Sequence, residues 1–230
     1  MAAQKLAHLI DRLPPARGTI TADAPIARLT WFRVGGNAEC LFEPADQTDL
    51  QEFLNGLPSD IDVTVFGGAS NLIVRDGGIP GVTIRLGRAF SDISNDGDIV
   101  TASAGAMDIT VARSARDWGI GGLEFLSGVP GSIGGAIRMN AGAYGSEIQD
   151  ILLDATAIDR SGGIHAVTSN DLGYSYRHST APDDWIFLSA TLQGRLEESP
   201  AAPTAAQPRA QLVWQPRSLG RHEGGRCLTA

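Results

Sequence analysis

Residues 119–145 constrain this chain more than any other stretch. They read Gly-Ile-Gly-Gly-Leu-Glu-Phe-Leu-Ser-Gly-Val-Pro-Gly-Ser-Ile-Gly-Gly-Ala-Ile-Arg-Met-Asn-Ala-Gly-Ala-Tyr-Gly. Glycine loses more backbone freedom on folding than any other residue, so such a run suits neither helix nor strand interiors. It suits a backbone that must turn sharply or let a partner come close. Val129-Pro130-Gly131-Ser132 predicts a turn into a short helix over residues 133–137, whose free N–H groups would favour an anion. A second loop of the same character, Phe66-Gly67-Gly68-Ala69-Ser70-Asn71, follows the apolar alternation of residues 62–65. Read singly, each loop is a tight turn. Two of them, each leaving a strand or entering a helix, predict a ligand with two phosphates and a long body.

Composition removes several function classes. Glycine accounts for 28 of 230 residues, against a usual share of about 7%, and the excess belongs in functional loops. A net charge of -8 offers no basic stripe to nucleic acid. An anionic ligand would therefore need local donors. Lys5 is the only lysine, which excludes a Walker-type phosphate loop and a pyridoxal Schiff base. Cys40 and Cys227 fit neither a disulfide framework nor a zinc site, so the reducing cytoplasm is the expected location. His8, His165, His178 and His222 form no ligand pair, and no metal is expected. Neither a signal peptide nor a bilayer-spanning apolar run is expected, and no membrane or protein partner is implied. A Gly-x-Ser-x-Gly nucleophile elbow is missing, and Gly119-Ile120-Gly121-Gly122 continues to Glu124 rather than completing a Gly-x-Gly-x-x-Gly fingerprint. The carboxylates Asp108, Asp117, Glu124 and Asp159 read as helix caps, solvated faces or turn residues.

The periodicities predict an α/β (α+β) protein of two adjoining subdomains, residues 19–88 and 89–195, behind an N-terminal helix within residues 1–18. In the first subdomain, extended chain is expected over residues 19–26, 38–42, 63–66, 72–74 and 82–86, with a helix over 48–57. In the second, a strand over 99–102 leads to a helix capped by Asp108 and closed by Gly119. A hairpin of residues 151–158 and 164–167 and a last strand over 185–192 follow. The remaining residues, 196–230, are rich in Pro, Ala, Arg and Gly without apolar period, and an irregular, disordered tail is expected there.

Four motifs occur in a telling order: Thr30-Trp31-Phe32-Arg33-Val34-Gly35-Gly36, residues 66–72, residues 126–145, and Tyr174-Ser175-Tyr176-Arg177-His178-Ser179. Together they resemble the UDP-N-acetylenolpyruvoylglucosamine reductase (MurB) family, flavoenzymes of bacterial cell-wall synthesis, from about residue 29 to about residue 192. The resemblance implies FAD between the two subdomains, its pyrophosphate held by the two glycine loops. Its residues would be Gly67, Gly68, Ala69, Ser70, Asn71 and Leu72 in the first loop. In the second they would be Ser127, Gly128, Pro130, Gly131, Ser132, Ile133, Gly134 and Gly135, continuing to Asn140, Ala141, Gly142 and Tyr144. Ser70 and Asn71 would supply short donors to a phosphate oxygen. In the family NADPH reduces the flavin, which then passes hydride to the enolpyruvyl ether of a UDP-sugar substrate. Arg177 matches the active-site arginine of the Tyr-x-Tyr-Arg-x-Ser motif, where a guanidinium stabilises charge developing on the substrate; Tyr176 would line the substrate beside it.

The family's serine general acid and C-terminal glutamate lie in a further, substrate-binding domain, in motifs that this sequence does not contain; neither Ser218 nor Glu223 has the required neighbours. A reading-frame shift after about residues 192–198 of an arginine-rich, GC-rich gene would yield a tail of this composition, and truncation is the competing explanation. Translating the other frames and finding neither motif would rule the shift out. The readings left open are a complete or incomplete reductase, a flavin-binding module without turnover, and another FAD-linked oxidoreductase of the same fold.

Overall fold

Two sheets carry the chain, and the loops between their elements carry the glycines. The computed structural model describes residues 9–196. The first sheet is built from β1 (Thr19–Ala24), β2 (Ala38–Glu43), β3 (Val63–Phe66) and β4 (Ile79–Arg85), in the order β1-β2-β4-β3. β1 runs antiparallel to β2, whereas β4 lies parallel to both β2 and β3. Parallel neighbours need a crossover, and helix α1 (Gln47–Gly56) supplies the one from β2 to β3. Asp46 caps α1 by accepting the Asp49 N–H. Leu50, Phe53 and Leu54 fall on its buried face, and Phe53 stacks on Phe42 of β2 with ring centroids 4.0 Å apart.

The second sheet is antiparallel throughout. It consists of β5 (Ile93–Asp96), β6 (Ile99–Ser103), β10 (Leu152–Ile158), β11 (Ile164–Thr168) and β12 (Ile186–Gln193), ordered β11-β10-β12-β6-β5. Helix α2 (Asp108–Asp117) and helix α3 (Ile133–Arg138) lie between β6 and β10 in sequence. Around them are four short strands, β7 (Ile120–Gly121) with β13 (Arg195–Leu196) and β8 (Gly142–Ala143) with β9 (Ser146–Glu147). A contiguous apolar core runs from Phe42 and Phe53 through Val111, Ile133 and Ile137 to Ile158 and Leu192, so α3 is packed at its centre. A smaller cluster of Ala24, Ile26, Ala38, Leu41, Phe66, Ala69 and Val74 underlies the first glycine loop.

The structure corrects three expectations of detail. Residues 72–75 form no strand; β4 already has β2 and β3 as its two neighbours. Leu72 and Val74 are apolar because they pack into the smaller cluster. β5, an Ile-Ser-Asn-Asp edge strand, was not anticipated, because its exposed polar residues carry no strand signature. Asp108 opens α2 but makes no capping hydrogen bond. Residues 1–8 of the expected N-terminal helix and residues 197–230 of the expected tail lie outside the described residues. Among the described residues, no helix is long and apolar enough to cross a membrane, and no cluster of His, Cys, Asp or Glu could hold a metal ion.

Candidate functional site

The loop after β3 and the loop before α3 pack against each other and together line a cleft of about 580 Å³. Of the residues named by the family resemblance, Gly67, Gly68, Ala69, Ser70, Asn71, Leu72, Pro130, Gly131, Ser132, Gly135, Ala141 and Arg177 line it. Ser127, Gly128, Ile133, Gly134, Asn140, Gly142, Tyr144 and Tyr176 do not. Val65, Phe66, Asp108, Val129, Ala136, Arg138 and Met139 complete the lining and were not anticipated.

Close approach of the two loops explains part of the glycine content. A Cβ on Gly67 would collide with Ser132 Oγ, and one on Gly68 would lie 2.9 Å from Gly131 Cα. Ser70 Oγ donates to the Pro130 carbonyl at 2.7 Å, and Asn71 Nδ2 reaches Met139 Sδ at 3.3 Å. These two side chains therefore fasten one loop to the other, an additional task to the phosphate contact expected of them. Gly135 is different. It is exposed on the cleft, and nothing lies within 4 Å of the position its Cβ would take. No neighbour within the described residues requires glycine there.

The start of α3 also departs from expectation. Its first two N–H groups are not free: Ile133 donates to the Ala106 carbonyl and Gly134 to the Ala104 carbonyl, at 3.0 and 2.8 Å. Ser132 occupies the N-cap position without a capping bond, and its buried hydroxyl has no partner. Polar capacity on this wall resides in Ser132 and in Asp108, whose two carboxylate oxygens are likewise buried and unpartnered. Burial alone pushes the Asp108 carboxyl up to about 7. The sequence signal for Asp108, an aspartate at a helix start, is the signal of an ordinary cap.

Arg177 stands where the cleft meets the loop of residues 174–179. Its backbone is held in the left-handed region (φ 56°), its guanidinium lies 5.8 Å from the Tyr176 ring centroid, and Nη2 donates to the Gly142 carbonyl at 2.8 Å. Two buried contacts hold this loop against α3. Asn140 Nδ2 donates to the Ser175 carbonyl while its Oδ1 accepts from the Gln149 N–H, and the Ser179 hydroxyl donates to the Arg138 carbonyl. Arg138 adds a third. Its guanidinium donates to the carbonyls of Ala181, Pro182 and Trp185 and lies over the Phe187 ring. Burial pushes this guanidinium down from its ordinary value, with Asp183 and Asp184 opposing.

An FAD binding domain family matches residues 38–168 of the chain, the span that contains both loops. The UDP-N-acetylenolpyruvoylglucosamine reductase of Parvibaculum lavamentivorans is 54% identical over 218 residues, covering 90% of this chain and 70% of that one. The chain belongs to the UDP-N-acetylenolpyruvoylglucosamine reductase family. The enzyme of that name from Azorhizobium caulinodans is 58% identical over 186 residues, covering 81% of this chain and 60% of its own. Among solved structures, the reductase (MurB) from Thermus caldophilus superposes with a TM-score of 0.67 at 29% identity, over 78% of this chain and 63% of its own. Membership makes the chain a flavin-dependent oxidoreductase by family, with the mixed α/β fold of FAD-binding reductases and oxidases. It spans about 60 to 70% of the length of these relatives.

Proposed function

We propose that the chain binds FAD in the cleft between residues 66–72 and 129–135, and that it serves the NADPH-dependent reduction of UDP-N-acetylglucosamine enolpyruvate to UDP-N-acetylmuramate, a cytoplasmic step of peptidoglycan synthesis. The segments 19–88 and 89–195 would act as the two FAD-binding subdomains. The observation that carries the reading is Gly135: on a wall where the other glycines are set by loop packing, this one faces open space. The residues fit a dinucleotide. A narrow pair of loops suits a diphosphate, and the Ser132 hydroxyl and Asp108 carboxyl are buried polar groups without a partner among the described residues.

When bound, the flavin would supply the hydride chemistry, accepting from NADPH and delivering to the enolpyruvyl carbon. The protein's part is to bind and to place charge. Arg177 carries a fixed positive charge at the cleft, where it can stabilise negative charge growing on the substrate's carboxylate. A planar, always-charged guanidinium suits a carboxylate geometrically, forming two parallel hydrogen bonds. Asn140, Ser179 and Arg138 keep the Arg177 loop docked, so the charge need not be reorganised during reaction.

Reconstitution with FAD, followed by NADPH oxidation with and without the enolpyruvyl substrate, tests this. Substrate-dependent NADPH oxidation with formation of the reduced UDP-sugar is expected. Arg177→Ala should then lower turnover about 100-fold while the flavin stays bound. Flavin retention without product would leave a flavin-binding module. NADPH oxidation that does not depend on the enolpyruvyl substrate and is indifferent to Arg177→Ala would point to another FAD-linked oxidoreductase.

A further inference from the structure

Asp108 is the charged residue of the cleft whose side chain no other group among the described residues explains. It is 0% exposed, both carboxylate oxygens lack a hydrogen-bond partner, and it lines the cleft. Its own N–H is used by the Gly131 carbonyl at 3.2 Å, which draws the second glycine loop against the start of α2. The space beside Gly131 is informative. The point that a Cβ of Gly131 would occupy lies 3.3 Å from Asp108 Oδ2 and 3.3 Å from Ser70 Oγ. A ligand oxygen resting on the Gly131 backbone from the cleft side would have this carboxyl as its neighbour, while the Ser70 hydroxyl already gives its hydrogen to the Pro130 carbonyl.

We propose that Asp108 is a binding residue for the diphosphate of the flavin dinucleotide, acting as a neutral carboxylic acid that donates its hydrogen bond to a phosphate oxygen beside Gly131. This rests on the flavin reading above and extends it to a residue that the family motifs do not mark. A carboxylate and a phosphate oxygen both accept, so one of them must bring a proton for the two to bond, and two like charges in a dry wall would repel. Among the described residues no cationic group bonds to the Asp108 carboxyl. The loops of residues 66–72 and 129–132 and the approach of residues 104–107 hold no ionisable side chain. On α2 itself, Arg113 is exposed, and Arg116 is engaged with Asp117 at the surface. Arg138 and Arg177 line the same cleft, but their guanidinium groups rest on backbone carbonyls. Burial already holds the Asp108 carboxyl at about 7, so the proton is available near neutral pH, and an adjacent phosphate would hold it more firmly.

Binding should therefore take up a proton above neutrality. FAD titrated into the full chain, followed by quenching of flavin fluorescence, should bind about 50-fold more weakly at about pH 9 than at about pH 7. Asp108→Asn, which keeps a donor but cannot titrate, should bind with an affinity nearly flat across that range. It also separates Asp108 from His165 and His178, which the variant keeps. Calorimetry of the unaltered chain in two buffers of different ionisation enthalpy should show about one proton taken up per FAD at about pH 8, and this arm does not depend on a variant folding. FAD binding with no pH dependence and no proton uptake would overturn the role of Asp108 and leave the flavin site standing. No binding at any pH would overturn the flavin assignment and this inference with it.

Discussion

Two aspartates occupy nearly the same place in two helices of equal length, and the protein treats them in opposite ways. Asp49 lies in the first turn of α1 and Asp108 in the first turn of α2; they are 1% and 0% exposed. The Asp49 carboxylate accepts the N–H groups of Arg17, Gly18 and Ala45 at 2.7 to 2.9 Å. Burial alone would raise its pKa, but the three donors, helped by the Arg17 charge, hold it below the ordinary carboxylate range. Asp108 has no such donors, and burial pushes it up. Asp49 thus ties the strand entry at residues 17–18 to the β2–α1 corner and has no capacity left over. Asp108 is isolated, and it faces the cleft. A buried polar group with every bond satisfied is part of the scaffold, whereas one with none satisfied lies where something is missing.

The sharpest way to break this contrast is to delete both carboxyls. Asp49→Ala strands three partly buried N–H groups and should cost about 3 kcal/mol of unfolding free energy, a fall in Tm on the order of 10 °C. Asp108→Leu removes an unpaired buried carboxyl and should leave Tm level or raise it. Equal destabilisation by the two would show that Asp108 is structural after all. Differential scanning calorimetry reads both.

Next in size is the contrast between glycines of the facing loops. Gly68→Ala places a Cβ 2.9 Å from the Gly131 backbone and should cost about 2 kcal/mol through overpacking. Gly135→Ala meets nothing within 4 Å and should change stability by less than about 1 kcal/mol. Its effect should appear in weaker flavin retention, so denaturant melts and flavin titrations of the two variants should rank them in opposite order.

The pH dependence of stability gives a smaller, signed test. Asp108 is raised in the folded state, from 3.8 to about 7, so its contribution is full below the unfolded value and is lost as pH rises through about 7. Asp108→Asn should therefore gain on the unaltered flavin-free chain as pH climbs across that window. Asp49 is lowered, so its contribution is present above the unfolded value and is lost as pH falls through its lower folded value. The deficit of Asp49→Asn should shrink in acid. Urea melts between about pH 3 and about pH 8 separate the two slopes.

The smallest effect belongs to the hairpin turn at residues 159–163, far from either loop in sequence. Asp159 accepts from the Ser161 hydroxyl, from His165 Nε2 and from the Gly163 N–H, which hold it well below the ordinary range. Asp159→Asn should weaken the chain slightly above about pH 4 and lose that difference in stronger acid. Flavin affinity should not move.

The sequence made most of this architecture legible, for identifiable reasons. β3, β10 and β12 show apolar alternation, and α1 shows a clean apolar stripe between Asp46 and Gly56. Residues 72–75 show the limit of that signal, because burial on one side is all that alternation reports, and a loop packed on a small cluster gives the same pattern. In the site, glycine density located both loops but could not say which glycines serve packing and which serve a ligand. Gly68 and Gly135 look alike on paper and are separated only by what surrounds them. Arg138 was passed over because nothing in a sequence reveals that three carbonyls at residues 181–185 will converge on it. Asp108 read as a cap because its neighbours in sequence do not tell that the donors a cap would use lie elsewhere.

The central claim is that this cleft holds FAD, and the most direct measurement is a visible absorption spectrum of the chain after mixing with FAD and gel filtration. About one oxidised flavin per chain should co-elute, and Gly135→Ala should reduce that amount with its fold intact. A protein fraction that is folded by circular dichroism yet carries no flavin absorbance would contradict the account.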